Sequence, residues 1–267
     1  MRRVVLPGAA GKMGRTLIRI LAESEGLILH RALERPGHGD LGRDAGALAG
    51  LGPLGVPITD DFAAALEGAD VAIDFTAPRA TIALAEAAAA ARVALVIGTT
   101  GLGPAERAVI EGVAATVPVV LSPNMSVGVN VLFGLLELAA RTLGPSYDVE
   151  IVELHHRLKR DAPSGTALGM AEVLARAQGR DVESRLLCGR RGDLGPRPDD
   201  QIGVLAVRGG DVVGEHTAHF LGAGDRLEIT HRASSRETFA RGAIRAARWL
   251  AGRGPGLYDM RDVLALR

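Results

Sequence analysis

The sequence predicts an α/β protein in two parts: a doubly wound parallel sheet, then an α+β block with a mainly antiparallel open sheet. Three observations carry this reading. Short apolar runs alternate with longer helical stripes through the first 125 residues. A glycine-rich turn joins the first run to the first stripe. After that the rhythm changes to strands with short glycine-bearing connections.

Taken in order, Val4–Leu6 reads as a strand running into Pro7-Gly8, and Met13, Leu17, Ile18 and Leu21 make the stripe of the first helix. Leu27–Leu33 is a second strand ending at Glu34. Val71–Phe75, Val93–Ile97 and Val119–Leu121 are further β-rich runs, with helices over Thr81–Ala91 and Pro104–Ala115 between them. Sites in such a sheet lie at the carboxyl ends of the strands. Val129–Leu143 is an amphipathic helix, Tyr147–Leu154 a strand and Thr166–Ala177 a helix, followed by an arginine-bearing loop over Arg180–Pro198. Three strands come next, Ile202–Arg208, Val212–Phe220 and Arg226–Ala233, joined by Gly209-Gly210-Asp211 and Gly222-Ala223-Gly224-Asp225, both read as hairpin turns. Ser234 with Glu237 is a capping-box pattern opening a last helix, Thr238–Leu250.

Composition narrows the function. The 267 residues are 47% hydrophobic and 23% charged, enough to build a core without disulfide or metal staples. Thirty-one basic residues balance 31 acidic ones, so nothing holds a polyanion by bulk charge. Aromatics at 3% leave no stacking platform, and nucleic acid is not an expected partner. The single cysteine, Cys188, excludes an internal disulfide and a multi-cysteine metal site. Arg2 and Arg3 precede only a short apolar run, and Ile82–Gly98 is broken by Glu86 and Arg92. A soluble, cytoplasmic protein with no membrane partner is expected.

Gly8-Ala9-Ala10-Gly11-Lys12-Met13-Gly14 follows a predicted strand and opens a predicted helix, the place where backbone amides attract a pyrophosphate. The first sheet is therefore read as Rossmann-like. Glu34 ends the second strand, where a carboxylate meets ribose hydroxyls, and the adjacent Arg35 suits a 2′-phosphate, so both NADH and NADPH fit. The competing reading of this turn is a tight strand–helix junction with a solvated charged pair.

Only two of the 31 basic residues are lysine, Lys12 in the glycine loop and Lys159 in the densest polar cluster. Lys is a compact charge able to give up a proton, which Arg is not. That cluster, Glu153-Leu154-His155-His156-Arg157-Leu158-Lys159-Arg160-Asp161-Ala162-Pro163-Ser164-Gly165-Thr166, sits at a strand end. His155 and His156 point to opposite sides if the strand continues through them. Ser164 is a good N-cap, and the amides of Gly165 and Thr166 make an anion site near Lys159. A titratable His, a Lys and an amide nest suit a small carboxylated substrate that needs a proton. The competing readings are a structural histidine pair or a metal site completed by His216 and His219. No cysteine or carboxylate at recognised metal spacing accompanies these histidines, so no metal is expected. No Gly-x-Ser-x-Gly elbow supports hydrolase chemistry.

The run from His155 through Ala167 resembles the signature of the dihydrodipicolinate reductase family, which acts on 4-hydroxy-tetrahydrodipicolinate in the diaminopimelate route to lysine. The resemblance continues in Gly8–Arg15, Asp74-Phe75-Thr76, Gly98–Gly101, Asn124 with Ser126–Asn130, Gly214–Thr217, Glu228–His231, Ala233–Arg236 and Gly256–Arg261. It implies His155 as the acid/base residue and Lys159 as its partner donor and carboxylate holder. His156, Gly165 and Thr166 would hold the substrate's carboxylates beside Ser164. Gly98, Thr99 and Thr100 would line the nicotinamide, and Ser122, Pro123, Asn124 and Met125 would form the other cofactor-contacting turn. It also implies a homotetramer built through the C-terminal sheets and last helices that return to the nucleotide domain. The expected domains are 1–126 with 237–267 for the dinucleotide and 127–236 for a cyclic dicarboxylate and tetramerisation. A reduced nicotinamide would deliver hydride to C4 of an unsaturated cyclic imine, with His155 protonating the adjacent carbon. The alternatives are another NAD(P)-dependent dehydrogenase, such as one resembling aspartate dehydrogenase, and a non-catalytic NAD(P) sensor.

Overall fold

The computed structural model describes residues 1–179 and 181–266. Arg180, which opens the predicted arginine-bearing loop, and Arg267, the last residue of the expected first domain, lie outside the described residues. The chain divides into two compact units: Met1–Val127 together with the chain from Arg236 onward, and Gly128–Ser235.

The first unit alternates β1 (Arg2–Pro7), α1 (Lys12–Ala22), β2 (Leu27–Leu33), α2 (Ala45–Leu48), β3 (Ile58–Thr59), α3 (Phe62–Leu66), β4 (Val71–Asp74), α4 (Pro78–Ala91), β5 (Ala94–Ile97), α5 (Pro104–Ala114) and β6 (Pro118–Leu121). In the second unit come α6 (Val127–Leu143), β7 (Asp148–His155), α7 (Gly165–Ala177), β8 (Leu186–Cys188), β9 (Ile202–Arg208), β10 (Gly214–Leu221) and β11 (Arg226–Ala233). The chain then rejoins the first unit with α8 (Glu237–Trp249), β12 (Gly256–Tyr258) and α9 (Met260–Val263).

The first sheet is wholly parallel, in the order β12-β6-β5-β4-β1-β2-β3. Both of its faces are covered, which is why β4 and β5 are buried at every residue and are apolar throughout apart from Asp74 at the end of β4. Alternation along β1 sends Val4 and Leu6 to one core, with α1, α8 and α9, and Val5 to the other, with α4 and α5. The predicted capping box at Ser234 does not form. Helix α8 starts at Glu237 with Arg236 as its N-cap and no side-chain cap, so Glu237 is the first helical residue and not the third.

The second sheet runs β11-β10-β7-β9-β8 and is mixed rather than mainly antiparallel. Strand β10 is antiparallel to both β7 and β11, whereas β9 is parallel to both β7 and β8. Gly222–Asp225 is a hairpin turn, closed by the Gly222 N–H on the Asp225 carbonyl at 3.0 Å. Gly209–Asp211 is not one, because β7 lies between β9 and β10. This connection instead passes the end of β7, where Gly209 N–H donates to His155 O (3.0 Å) and His156 N–H to Val212 O (2.8 Å). One face of the sheet packs Val149, Ile151, Ile202, Val204, Ala218 and Phe220 against α6 and α7. Helix α6 with its following turn, Val127–Ser146, is long and apolar enough to cross a membrane by length and composition alone. Its Leu132, Leu136, Ala139 and Ala140 belong to this core.

Candidate functional site

In the first unit the glycine loop links β1 to α1. Gly8 has φ +67°, a left-handed conformation that glycine adopts at no steric cost. Gly11 is the N-cap of α1, with extended backbone and no side-chain cap, so the helix opens on backbone alone. Gly14 is packed so closely that a Cβ there would collide with the Gly8 carbonyl and come within 2.7 Å of Ala9 Cα. Ala9 and Ala10 are buried, Gly11 and Lys12 exposed and Met13 half-buried. The Glu34 carboxylate accepts from Ala10 N–H at 3.0 Å and from Arg35 N–H at 3.3 Å, so the end of β2 is tied to the glycine loop. The Arg35 side chain is exposed. A cradle of close glycine backbone at a helix start, with an acid beside it, fits a dinucleotide.

The other two predicted cofactor turns are braced by groups outside the predicted site, Asp74 for one and Ser126 with Thr238 for the other. Asp74, wholly buried at the end of β4, accepts from the hydroxyls of Thr76 (2.6 Å), Thr81 (2.5 Å) and Thr99 (3.0 Å) and from Thr76 N–H (3.0 Å). Gly98 leaves room for the ring of Phe75. Thr99 is thus turned inward, whereas Thr100 is exposed and lines a hollow of about 320 Å³ with Thr99, Gly101, Pro123, Tyr258 and Asp259. At the 122–126 turn the Ser122 hydroxyl donates to Asn124 O (2.8 Å) and Ser126 N–H to Asn124 Oδ1 (2.9 Å). Ser126 Oγ bonds Thr238 Oγ1 in α8 at 3.1 Å. The side chain of Met125 is buried in the core, and Gly242 of α8 lies against its carbonyl. The returning helix therefore braces this turn.

In the second unit the histidine cluster closes around the end of β7. The strand ends at His155, so His156 already belongs to the loop, half-buried. Alternation puts Val149, Ile151, Glu153 and His155 on one buried face. Glu153, fully buried, accepts His155 Nδ1 at 2.6 Å, both Nη atoms of Arg208 at 2.7 and 2.8 Å, and Ser164 N–H at 3.0 Å. Ser164 caps α7 through Ala167 N–H (3.2 Å), and its hydroxyl pairs with His216 Nε2 at 2.9 Å. The space beside Gly165, at the helix start, is open. Lys159 Nζ reaches both carboxylate oxygens of Asp161 at 2.8 and 2.9 Å. The His155 and His216 rings meet edge to face at 5.1 Å.

The structure brings His155, Ser164 and His216 together, with Lys159 on the adjoining loop. His219 stands apart: it is three residues beyond His216 on a strand, hence on the opposite face, and pairs with Glu228 at 3.2 Å. Among the described residues no group of three or more His, Cys, Asp or Glu is arranged to hold a metal ion. Sequence reasoning gave no role to Glu153, Arg208 or Asp74. The signal for Glu153 was present, since an acid two residues before His155 on a strand shares its face and cannot be buried without a partner.

The charges follow from these contacts. Burial opposes ionisation of Glu153, but the Arg208 fork, His155 and the Ser164 N–H outweigh it and hold the carboxyl below its ordinary value. His155 is lowered chiefly by burial, then by the charges of Lys159 and Arg208, with Glu153 opposing. His216 is pushed down to about 4, chiefly by burial and then by repulsion from His155. A histidine that titrates at 6.5 when unfolded and about 4 when folded binds fewer protons in the fold, so stability falls as pH drops through that window. The wild type is expected to lose on the order of 3 kcal/mol between those limits from His216 alone. Urea unfolding against pH for the wild type and His216→Gln checks this, and equal slopes would refute it.

Two family models match the chain in order. "Dihydrodipicolinate reductase, N-terminus" covers residues 2–125, and "Dihydrodipicolinate reductase, C-terminus" covers 128–264. A 4-hydroxy-tetrahydrodipicolinate reductase of Anaeromyxobacter sp. (strain Fw109-5) is 60% identical over 267 residues, covering 100% of this chain and 99% of its own. One from Geotalea daltonii is 53% identical with 100% of both chains covered. Among solved structures, the dipicolinate-bound dihydrodipicolinate reductase from Paenisporosarcina sp. TG-14 superposes with a TM-score of 0.78 at 25% identity, covering 97% of each chain.

Proposed function

The chain belongs to the dihydrodipicolinate reductase family, and on that premise we propose how its residues divide the work. It is an NAD(P)H-dependent oxidoreductase that reduces 4-hydroxy-tetrahydrodipicolinate in the diaminopimelate route to lysine. The first unit is the dinucleotide domain and the second the substrate and tetramerisation domain.

The observation that supports the assignment of roles most strongly is the buried Glu153–His155 contact at 2.6 Å, which leaves one ring nitrogen to act. NADH or NADPH, when bound, supplies the hydride. Gly8, Ala9, Ala10, Gly11, Lys12 and Met13 would cradle its pyrophosphate, and Glu34 and Arg35 its adenosine ribose, with or without the 2′-phosphate. Gly98, Thr99, Thr100 and the turn Ser122–Met125 would flank its nicotinamide. Because the side chains of Thr99 and Met125 are inward, their share of that contact is carried by backbone.

His155 would give its Nε2 proton to the carbon next to C4, where negative charge develops as hydride arrives. Lys159, drawn from Asp161 by a substrate carboxylate, would hold that carboxylate with His156, Ser164 and the Gly165 and Thr166 amides. Water leaves the 4-hydroxy substrate before or during reduction.

The open face of the second sheet carries Leu205 and Val207, 52% and 39% exposed. Four copies meeting on these faces would make the homotetramer. A cytoplasmic location suits a pathway of small soluble intermediates.

The experiment is oxidation of NADH and of NADPH, with substrate generated in situ from pyruvate and aspartate semialdehyde by the preceding synthase. Both cofactors are expected to be consumed, and pyridine-2,6-dicarboxylate to inhibit. Cofactor binding without turnover would overturn the reading in favour of another imino- or keto-acid dehydrogenase.

A further inference from the structure

We propose that Glu153 and Arg208 are positioning residues that register the proton donor, the Lys159 loop and the start of α7 on one ion pair. The proposal rests on the reading of His155 as donor. Every oxygen of Glu153 is used twice: Oε2 takes His155 Nδ1 and Arg208 Nη1, and Oε1 takes Ser164 N–H and Arg208 Nη2. Arg208 Nη2 also donates to the carbonyl of Asp161 at 2.7 Å, so the fork that fills Glu153 also holds the segment carrying Lys159. Three consecutive pieces of the site, a strand end, a loop and a helix start, are therefore indexed to two side chains, one of them brought from β9.

The chemical consequence lies at His155. An ionised carboxylate on Nδ1 makes that nitrogen the N–H donor, so the proton to be transferred resides on Nε2. Nε2 faces Gly214, where a Cβ would stand 3.0 Å away, so the glycine keeps that nitrogen uncovered by its own sheet. The groups facing His155 are Glu153 on its own strand, Arg208 on β9, His216 on β10 with His231 paired to it on β11, and Lys159 on the loop. Ser164, at the start of α7, is uncharged and bonded to His216. Burial and the two cations favour the neutral imidazole, and Glu153 alone opposes them. The two partners thus pull the donor in opposite directions, which a purely structural ion pair would not reveal.

The test is the pH profile of kcat/KM, where loss of the donor's proton sets the alkaline limb. Glu153→Gln should move that limb down by about one pH unit or more, which is tenfold or more in rate above the limb. Arg208→Gln should move it up, because a repelling charge is gone and the freed carboxylate holds the imidazolium more tightly. KM for NADH should stay unchanged in both. Two variants with lower kcat but an unmoved limb would reduce the pair to scaffolding and overturn the proposal. His155→Gln separates the premise from the inference: a limb that survives this substitution means His155 is not the donor.

Breaking a buried pair can unfold a protein. Glu153→Leu with Arg208→Met therefore removes both charges together, with ¹⁵N NMR of the His155 ring as readout. The expected result is transfer of the neutral-state proton from Nδ1 to Nε2. A ring that keeps its proton on Nδ1 overturns the proposal.

Discussion

His155→Ala is expected to lower kcat by about 10²–10⁴-fold, the contribution of a well-placed general acid, while affinity for NADH stays at the wild-type value. The separation follows from where the parts lie. The glycine loop, Glu34 and the Gly98–Thr100 turn belong to one compact unit, and His155 to the other. Removing the imidazole leaves Glu153 with the Arg208 fork and the Ser164 N–H, so the buried carboxylate keeps three of its four hydrogen bonds and the strand end its shape. Lys159→Ala should act differently, raising KM for the dicarboxylate more than it lowers kcat, because Lys159 is assigned to hold a carboxylate in ground and transition states alike. Stopped-flow turnover beside a fluorescence titration of NADH reads both. If His155→Ala retained more than a tenth of wild-type kcat, the proton would have to come from another group.

The parts of this site that were legible in the sequence are those with local chemistry. Leu27–Leu33 matches β2 at both ends, because a turn on one side and Glu34 on the other bound a mostly aliphatic segment. The glycine loop and Ser164 as N-cap are likewise fixed by backbone rules acting over three or four residues. What was not legible depends on pairing across long stretches of chain. Strand β12 is three residues long and exists only through its parallel register with β6, Gly256 on Pro118. The placement of β7 between β9 and β10 turned an expected hairpin into a connection over the strand end, and it also brought Arg208 beside His155 in register. Asp74 has two local partners, Thr76 and Thr81, but its tie to the Thr99 turn depends on the pairing of β4 with β5. Functional side chains thus escaped notice where their partners are supplied by sheet order.

Alanine at each glycine of the loop should separate three physical roles, with Gly14→Ala the most damaging. Its methyl would enter the Gly8 carbonyl and lie 2.7 Å from both Ala9 Cα and Ala9 O. These are backbone atoms of a loop with buried alanines, so no flexible side chain can yield, and α1 would have to withdraw from the loop. Overpacking of this kind costs about 1–3 kcal/mol, sometimes more, and the withdrawal would also open the cradle, so NADH binding is expected to be lost. Gly8→Ala should cost about 1–2 kcal/mol for a left-handed φ of +67°, with Thr76 Cγ2 close by at 3.0 Å as a movable neighbour. Gly11→Ala should be the mildest for stability, because Gly11 is exposed, at φ −70°, with only the Gly8 carbonyl near, at 3.1 Å. Its penalty should appear in cofactor affinity instead, since a methyl at the first position of the helix start intrudes where a phosphate must approach backbone amides. Urea unfolding ranks the three for stability and a nucleotide titration ranks them for binding. The assignment of Gly14 to close packing fails if its alanine variant unfolds at the wild-type urea concentration, and the assignment of Gly11 to the phosphate fails if its variant binds NADH as tightly as the wild type.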